Sequence, residues 1–599
     1  MGQREPVHTG RKQKQNTFFG GAAILAMGIL VVKLIGMFYK IPLVNIIGEQ
    51  GNADFNNAYN IYSVLLTIST AGLPVAVSKL VSEANALGRR NQVRRVFRLA
   101  LGLFLLLGVV SFCVMFFRAD WLAGLINDTK AAPSIRALAP AVICVGCLAA
   151  FRGYSQGHRN MTPTSVSQIL EALCKLFIGL ALAYALVQAG QPAEVAAAGA
   201  ITGVTIGTMV ALAYMVVSFF LTQRWEEKSE DKPDSNGVII RRILQIAIPI
   251  TLGSSMVGIV TAVDAALVQG QLQRVLLEDP RTWALYAGYI DFSPVETALE
   301  SWKATLPVGS DVTIGVLEAQ VAKELADGIT QSAAQTLHST MEFISRTLYG
   351  NYSGAVTLYN LPNALMAAIT ASVIPAVSSA LARHDGKGAS QVTGSALRVT
   401  ALLAFPMSMG LFVLGTPIMR LLFSKLNPDL AGPMLSVMGI ANAFVCVMLV
   451  CNSVLQAYGF VNLPVIVMVL GGIVKIVVNY TVVAIPKVGI YGVPFGTVFC
   501  FILCLALDLI IISRVIRNRP SYIPIFLKPA IASAIMGAGA WAMYGLIYKL
   551  CESNTVAVLG AILIAVMLYG GLVIALKAIS RQDLMLMPKG EKIAKLLRL

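Results

Sequence analysis

Runs of about twenty mainly apolar residues recur along the chain, separated by short polar stretches. A helix needs a run of that length to cross a hydrocarbon core about 30 Å thick. Fourteen runs are legible. The first six lie near 17–40, 56–82, 97–117, 137–152, 163–187 and 195–221. The next six lie near 243–269, 353–382, 398–416, 432–456, 464–484 and 491–513, and the last two near 526–548 and 555–576. Gly, Pro and Ser inside several runs are tolerated in a bundle, where neighbouring helices satisfy the freed backbone groups. The pattern predicts an all-α polytopic membrane protein. One connection is long: 271–352 holds more acid than base and reads in part as amphipathic helix from Val316 to Thr347. It predicts a small extracytoplasmic cap, with a partner-docking surface as the alternative.

Composition agrees. Of 599 residues, 56% are hydrophobic and only 13% charged, with a mean hydropathy of +0.73. Soluble domains carry about 25% charged residues, so this chain has too little charge to coat a soluble surface. That excludes a cytosolic enzyme, a secreted domain and a disordered chain. The net charge of +16 would raise the question of nucleic acid in a soluble protein. Here the basic residues gather on one side of the spans, as in Arg89, Arg90, Arg94, Arg95 and Arg98, in Arg514, Arg517 and Arg519, and in the C-terminal tail. The positive-inside rule then puts both termini in the cytoplasm, with no nucleic-acid partner. The basic N-terminus (Arg4, Arg11, Lys12, Lys14) and the first apolar run predict no cleavable signal peptide. The nine cysteines read as small hydrophobes. The four histidines (His8, His158, His338, His384) fall outside the spans, and neither H-E-x-x-H nor G-x-S-x-G occurs. No catalytic set, cofactor or metal is predicted, so the chain reads as no enzyme.

An internal repeat organises the spans. Tyr59-Asn60, Leu65 and Thr70-Ala71 recur as Tyr359-Asn360, Leu365 and Thr370-Ala371, and Pro74 answers Pro375. At the same offset Arg98 answers Arg398, Gln156 answers Gln456 and Lys175 answers Lys475. Six helices separate the copies, so they share orientation. Repeats of this parallel class form two lobes about a central cavity, which rocking exposes to either side. The expected domains are a cytoplasmic tail 1–16, an N-lobe 17–225, a C-lobe 240–515 containing the insertion 271–352, two added helices in 525–577, and a cytoplasmic tail 578–599. The architecture points to a transporter.

Ionisable groups inside the bilayer are candidate functional groups. Lys33 and Lys40 on helix 1 and Lys79 on helix 2 are candidates for anion binding, although Lys79 near the inner end can snorkel to the interface instead. Glu171 and Lys175 lie one turn apart on helix 5, where an i,i+4 pair neutralises itself. Asp264 on helix 7 pairs a cation or carries a proton, and Lys475 on helix 11 has no acid at helical spacing. Asp508 reads as interfacial. Lysines outnumber acids, and a net positive cavity suits an anionic cargo such as a diphosphate.

Residues 152–171 then carry a resemblance. Arg152-Gly153-Tyr154-Ser155-Gln156-Gly157, Asn160-Met161-Thr162-Pro163-Thr164, and Ser167-Gln168 with Glu171 resemble the hallmark of the stage V sporulation protein B family. That family is in the polysaccharide-export branch of the multidrug/oligosaccharidyl-lipid/polysaccharide flippases, beside the MurJ-like lipid II flippases. Gly72-Leu73-Pro74 through Ala84, Leu348-Tyr349-Gly350 through Pro362, and Val373 through Ser378 look similar too. The resemblance implies fourteen helices in two lobes. It also implies export of a polyprenyl-diphosphate-linked sugar, with lipid II leading, across a bacterial plasma membrane; cell-wall synthesis proteins are candidate partners through the outer loop. Gly72, Pro74, Pro362 and Pro375 are then candidate gate positions, or sites of close packing. Arg152, Gln156 and Arg159, in the loop after helix 4, either meet the incoming head group or serve the positive-inside bias. This chain has Leu65-Leu66 where the MurJ pattern carries an arginine, so Lys33 and Lys40 would have to serve, and its long loop exceeds the family pattern. Two other readings stay open: an ion-coupled multidrug exporter of the same fold, and a scaffold for wall synthesis.

Overall fold

The computed structural model describes residues 10–70, 72–158, 160–222, 230–307, 311–329, 331–460, 462–516, 521–576 and 578. Among these residues the secondary structure is helical throughout. Eleven stretches are long and apolar enough to cross a membrane. Each of the fourteen expected runs overlaps a helix, but the count of fourteen spans is not reached on length and composition. The helices around expected runs 7 and 8, Asn236–Glu278 and Ala333–Ala382, are not among the eleven.

The first helix extends from Gly10 to Thr70, so it begins inside the expected tail 1–16. It is broken at Gly48, where φ is 71° and ψ −169°. That backbone region is essentially closed to residues with a Cβ. The chain doubles back there: Lys40 Nζ lies 2.9 Å from Asn56 Oδ1, whereas sixteen residues of straight helix would span about 24 Å. One glycine therefore makes the turn between expected helices 1 and 2.

Helix ends outrun the hydropathy signal. The helix Ala132–Gly157 starts before 137 and ends after 152, and Ala333–Ala382 starts twenty residues before 353. These extensions are polar, and apolar-run counting detects only the part inside the bilayer.

The expected loop 271–352 is correspondingly compact. Both flanking helices extend into it, and the single amphipathic helix expected from Val316 to Thr347 is interrupted, as Ile314–Ala326 followed by the start of Ala333–Ala382. Ser293–Lys303 buries Trp302, whose Nε1 donates to Gln320 Oε1 at 2.8 Å. Tyr286 is fully buried, and its hydroxyl accepts from the Ile490 amide at 2.8 Å, which fastens the cap to the turn Gly489–Gly492. We call this end of the bundle the cap end, and the end carrying Arg89 to Arg98 the basic end.

The apolar cores lie mainly in one half of the chain or the other, although Val44 and Ala53 join a core of the second half and Ile239, Ile243 and Ala247 join one of the first. One half holds cores around Phe55, Tyr62 and Ile135 and around Phe97, Phe104 and Phe151. The other holds cores around Met366, Met438 and Cys500 and around Val377, Val450 and Ile512. The cysteines are free thiols, including Cys144 and Cys147, which have C-x-x-C spacing within an apolar helix. Among the described residues no cluster of His, Cys, Asp and Glu is able to hold a metal ion.

Candidate functional site

A cavity of about 560 Å³ lies between the halves, within the usual size of a small-ligand site. Its lining includes Lys33, Lys40, Lys175 and Lys475 against one acid, Asp264. Asn60 and Asn360 also line it. The repeat pairs Asn60/Asn360 and Lys175/Lys475 thus bring equivalent side chains from the two halves to one space.

The four lysines are held differently. Lys475 Nζ is 2.8 Å from Asp264 Oδ2, and Asn479 Nδ2 donates to Asp264 Oδ1 at 2.5 Å. Lys475 and Asn479 share a helix face, so one carboxylate on the neighbouring helix engages both. Among the described residues Lys175 has no such acid. Its ammonium sits 4.8 Å from the ring centre of Tyr59, 4.9 Å from Tyr39 and 5.9 Å from Phe55. Aromatic faces attract a cation without supplying a counter-charge. Lys175 also opens a π-helical turn, Lys175–Gly179, a feature frequent at functional sites. Lys40 donates to Asn56 Oδ1 and lies 4.1 Å from the Phe55 ring centre. Lys33 is the one exposed lysine of the four.

Four readings of the sequence change. Glu171 does not pair with Lys175 one turn along. It pairs with Arg152 Nη2 at 3.0 Å, while Arg152 Nε donates to Ser167 Oγ at 3.0 Å. Arg152 and Gln156 are not in a loop but on the last turns of Ala132–Gly157. The helix continues because Gly153 and Gly157 seat it against helix 2. A Cβ at Gly153 would lie 2.8 Å from Pro74 O, and one at Gly157 would lie 2.7 Å from Val81 Cβ. Arg159 lies outside the described residues. Lys79 is not in the cavity; it is exposed in a separate depression with Ser78, Ser82, Glu83 and Gln156 toward the basic end. Asp508, expected at the interface with its carboxylate reaching water, is fully buried within the protein. Of the candidate gate positions, Gly72 makes a close approach, since a Cβ there would lie 2.2 Å from Ala247 O. Pro362 and Pro375 lie within the unbroken helix Ala333–Ala382.

The cavity is closed toward the cap end by groups that the sequence did not single out. Asn52 Nδ2 donates to Gly350 O and Ser353 Oγ, both at 2.9 Å, and Asn56 Nδ2 donates to Ser353 Oγ at 3.1 Å. Gly350 permits this approach: a Cβ there would lie 1.8 Å from Glu49 O. Above this, Arg346 binds Asp54 through Nε at 2.8 Å and Nη2 at 2.6 Å, and its Nε is 3.3 Å from Asp128 Oδ1. Asp54 and Asp128 are fully buried and Arg346 is 4% exposed. Glu342 accepts from Thr129 N at 2.5 Å and from Thr129 Oγ1 at 2.8 Å. These contacts tie the first half of the chain to the second. They went unnoticed because each charge lies beside a span end, where charge is ordinary; only the fold buries them.

Asp264→Asn is expected to lower stability by about 2 kcal/mol, because it leaves a partly buried ammonium without its counter-charge. Asp264→Asn combined with Lys475→Met is expected to recover much of that loss, since a neutral apolar replacement removes the stranded charge. Thermal unfolding in detergent would check both.

The comparisons agree with this architecture. A family model for polysaccharide biosynthesis proteins matches residues 18–274, and one for the lipid II flippase MurJ matches residues 322–567. The chain is 23% identical to the uncharacterized membrane protein YabM of Bacillus subtilis (strain 168), over 98% of this chain and 97% of that one. It is 22% identical to stage V sporulation protein B of the same organism, over 84% of this chain and 85% of that one. A solved structure of the lipid II flippase MurJ, in an inward closed conformation, shares the fold at a TM-score of 0.62 and 14% identity, covering 94% of this chain and all of that one. The two models between them take in most of the chain, one in each half, and this membrane protein is similar to the MurJ and stage V sporulation protein B flippases, which points to a transporter of that type.

Proposed function

We propose that the protein moves a polyprenyl-diphosphate-linked sugar, with the peptidoglycan precursor lipid II as leading cargo, across a bacterial plasma membrane by alternating access. In this reading fourteen spans place both termini in the cytoplasm, and the two halves, 17–225 and 240–515, rock about the lysine cavity. The observation that carries it is the charge of the cavity: four lysines face one aspartate, and that aspartate is engaged. Ammonium groups bind phosphate oxygens as compact point charges. A diphosphate would meet Lys175 and Lys40, whose partners are aromatic rings and an amide and not carboxylates.

The polyprenyl tail needs an apolar lane. A groove of about 490 Å³ lined by Phe405, Phe412, Phe444 and Phe526 has the chemistry to hold part of it. Export of organic cations would call for a free carboxylate in the cavity. The one acid in the described lining is held by Lys475 and Asn479, which favours the anionic cargo.

The test is complementation of a bacterium depleted of its own lipid II flippase, with surface lipid II read by a probe that cannot enter the cell. Restored growth and surface signal are the expected result. Normal expression without a surface signal would contradict lipid II as the cargo and turn attention to other lipid-linked glycans.

A further inference from the structure

Asp508 lies on the helix Val493–Val515, two turns from its basic end. It is fully buried, and neither carboxylate oxygen has a hydrogen-bond partner among the described residues. Its own helix offers Cys504 and Ile512, and the facing helix Pro428–Ala457 offers Cys451 within a layer of Val447, Val450, Val454 and Leu455. The titratable groups that face it are the Cys451 and Cys504 thiols; no lysine, arginine, histidine or second carboxylate among the described residues acts on it. The third helix, Leu463–Val483, meets this layer through its backbone, where Cys504 Sγ donates to Val467 O at 3.5 Å. The ion pair Asp264–Lys475 lies further along the same stripe, on the far side of Cys500.

An ionised carboxylate in such a place is strongly disfavoured, and the group takes up a proton instead. The internal repeat supplies a control on whether the fold requires an acid there. Three hundred residues earlier stands Thr208, equally buried, whose hydroxyl is satisfied by Thr205 O at 2.8 Å. On the neighbouring helix, Asn452 has a buried Oδ1 without a partner among the described residues, while its counterpart Arg152 is paired with Glu171. At these two repeat positions the polar groups are satisfied in the first half and left open in the second. The packing needs no carboxyl here.

We propose that Asp508 is a proton-binding site, separate from the lysine cavity, whose proton is gained and lost as the second half of the bundle changes conformation. The ligand is one proton: the carboxylate takes it from water, the carboxyl returns it to water, and no other bond changes. Closed packing holds the protonated form, and release requires a conformation that admits water between Val493–Val515 and Pro428–Ala457. This rests on the transporter reading and adds the proton as its coupling ion.

The test uses the full chain in lipid vesicles and needs no cargo. Infrared spectra should contain the carbonyl band of a protonated carboxyl that is lost in Asp508→Asn. Amide hydrogen exchange of 493–515, corrected for intrinsic rates, should quicken as pH rises in the wild type and lose that dependence in Asp508→Asn, which mimics the neutral form. Asp508→Thr, the residue type of the first half, is the second variant should the asparagine fold poorly, and should likewise abolish both signals. A missing band in the wild type, or pH-dependent exchange unchanged in the variants, would overturn the proposal. Failure of the lipid II complementation with these signals intact would instead remove the cargo reading alone.

Discussion

Arg346→Ala is expected to lower the stability of the folded protein by about 3–5 kcal/mol, the loss seen when one member of a buried ion pair is removed. Two fully buried carboxylates, Asp54 and Asp128, share this guanidinium, and without it both are stranded. The residues also sit on opposite halves of the chain, so the loss acts on the seal at the cap end more than on either half alone. A cysteine placed at Ser353, beneath the seal, should gain reactivity toward an impermeant thiol reagent in the Arg346→Ala background. Neutralising all three with Arg346→Met, Asp54→Asn and Asp128→Asn should return much of the thermal stability, because breaking a buried pair is worse than omitting it. A thermal midpoint unchanged by Arg346→Ala would show that the triad does not hold the halves together.

Lys175→Ala and Lys40→Ala are each expected to weaken binding of a diphosphate head group about 10- to 100-fold, the range for losing a hydrogen bond to a charged partner. Lys175 should have the larger effect, because its partners among the described residues are ring faces. Lys79→Ala should leave head-group binding unchanged, since Lys79 lies outside the cavity. The folded state should tolerate Lys175→Ala, because it strands no carboxylate. That separates a binding defect from a folding defect, a distinction Asp264→Asn does not offer.

Much of this was legible before any coordinates. Apolar runs place the spans because the bilayer imposes one length on them, and the offset of 300 residues gives the two halves. That offset also marks Lys175 and Lys475, which the fold brings to one cavity. What stayed hidden depends on partners distant in sequence. Lys475 finds its acid 211 residues away on Asp264, and Glu171 finds Arg152 across two helices instead of Lys175 one turn along. Tyr39, Phe55 and Tyr59 read as ordinary apolar positions, and only the turn at Gly48 folds them around a lysine. In the sequence, the hallmark stretch around Gly153 and Gly157 reads as a loop because its polar residues end the apolar run. In the fold its glycines are the contact face of a helix.

The central claim is that the lysine cavity binds an anionic diphosphate. The most direct measurement is the affinity of the purified protein for a short-chain prenyl-diphosphate sugar, compared with Lys40→Ala/Lys175→Ala and with an organic cation as competitor. The expected result is binding by the wild type, at least about 100-fold weaker binding by the double variant, and no competition by the cation. Equal diphosphate binding by both proteins, or displacement by the cation, would contradict the account.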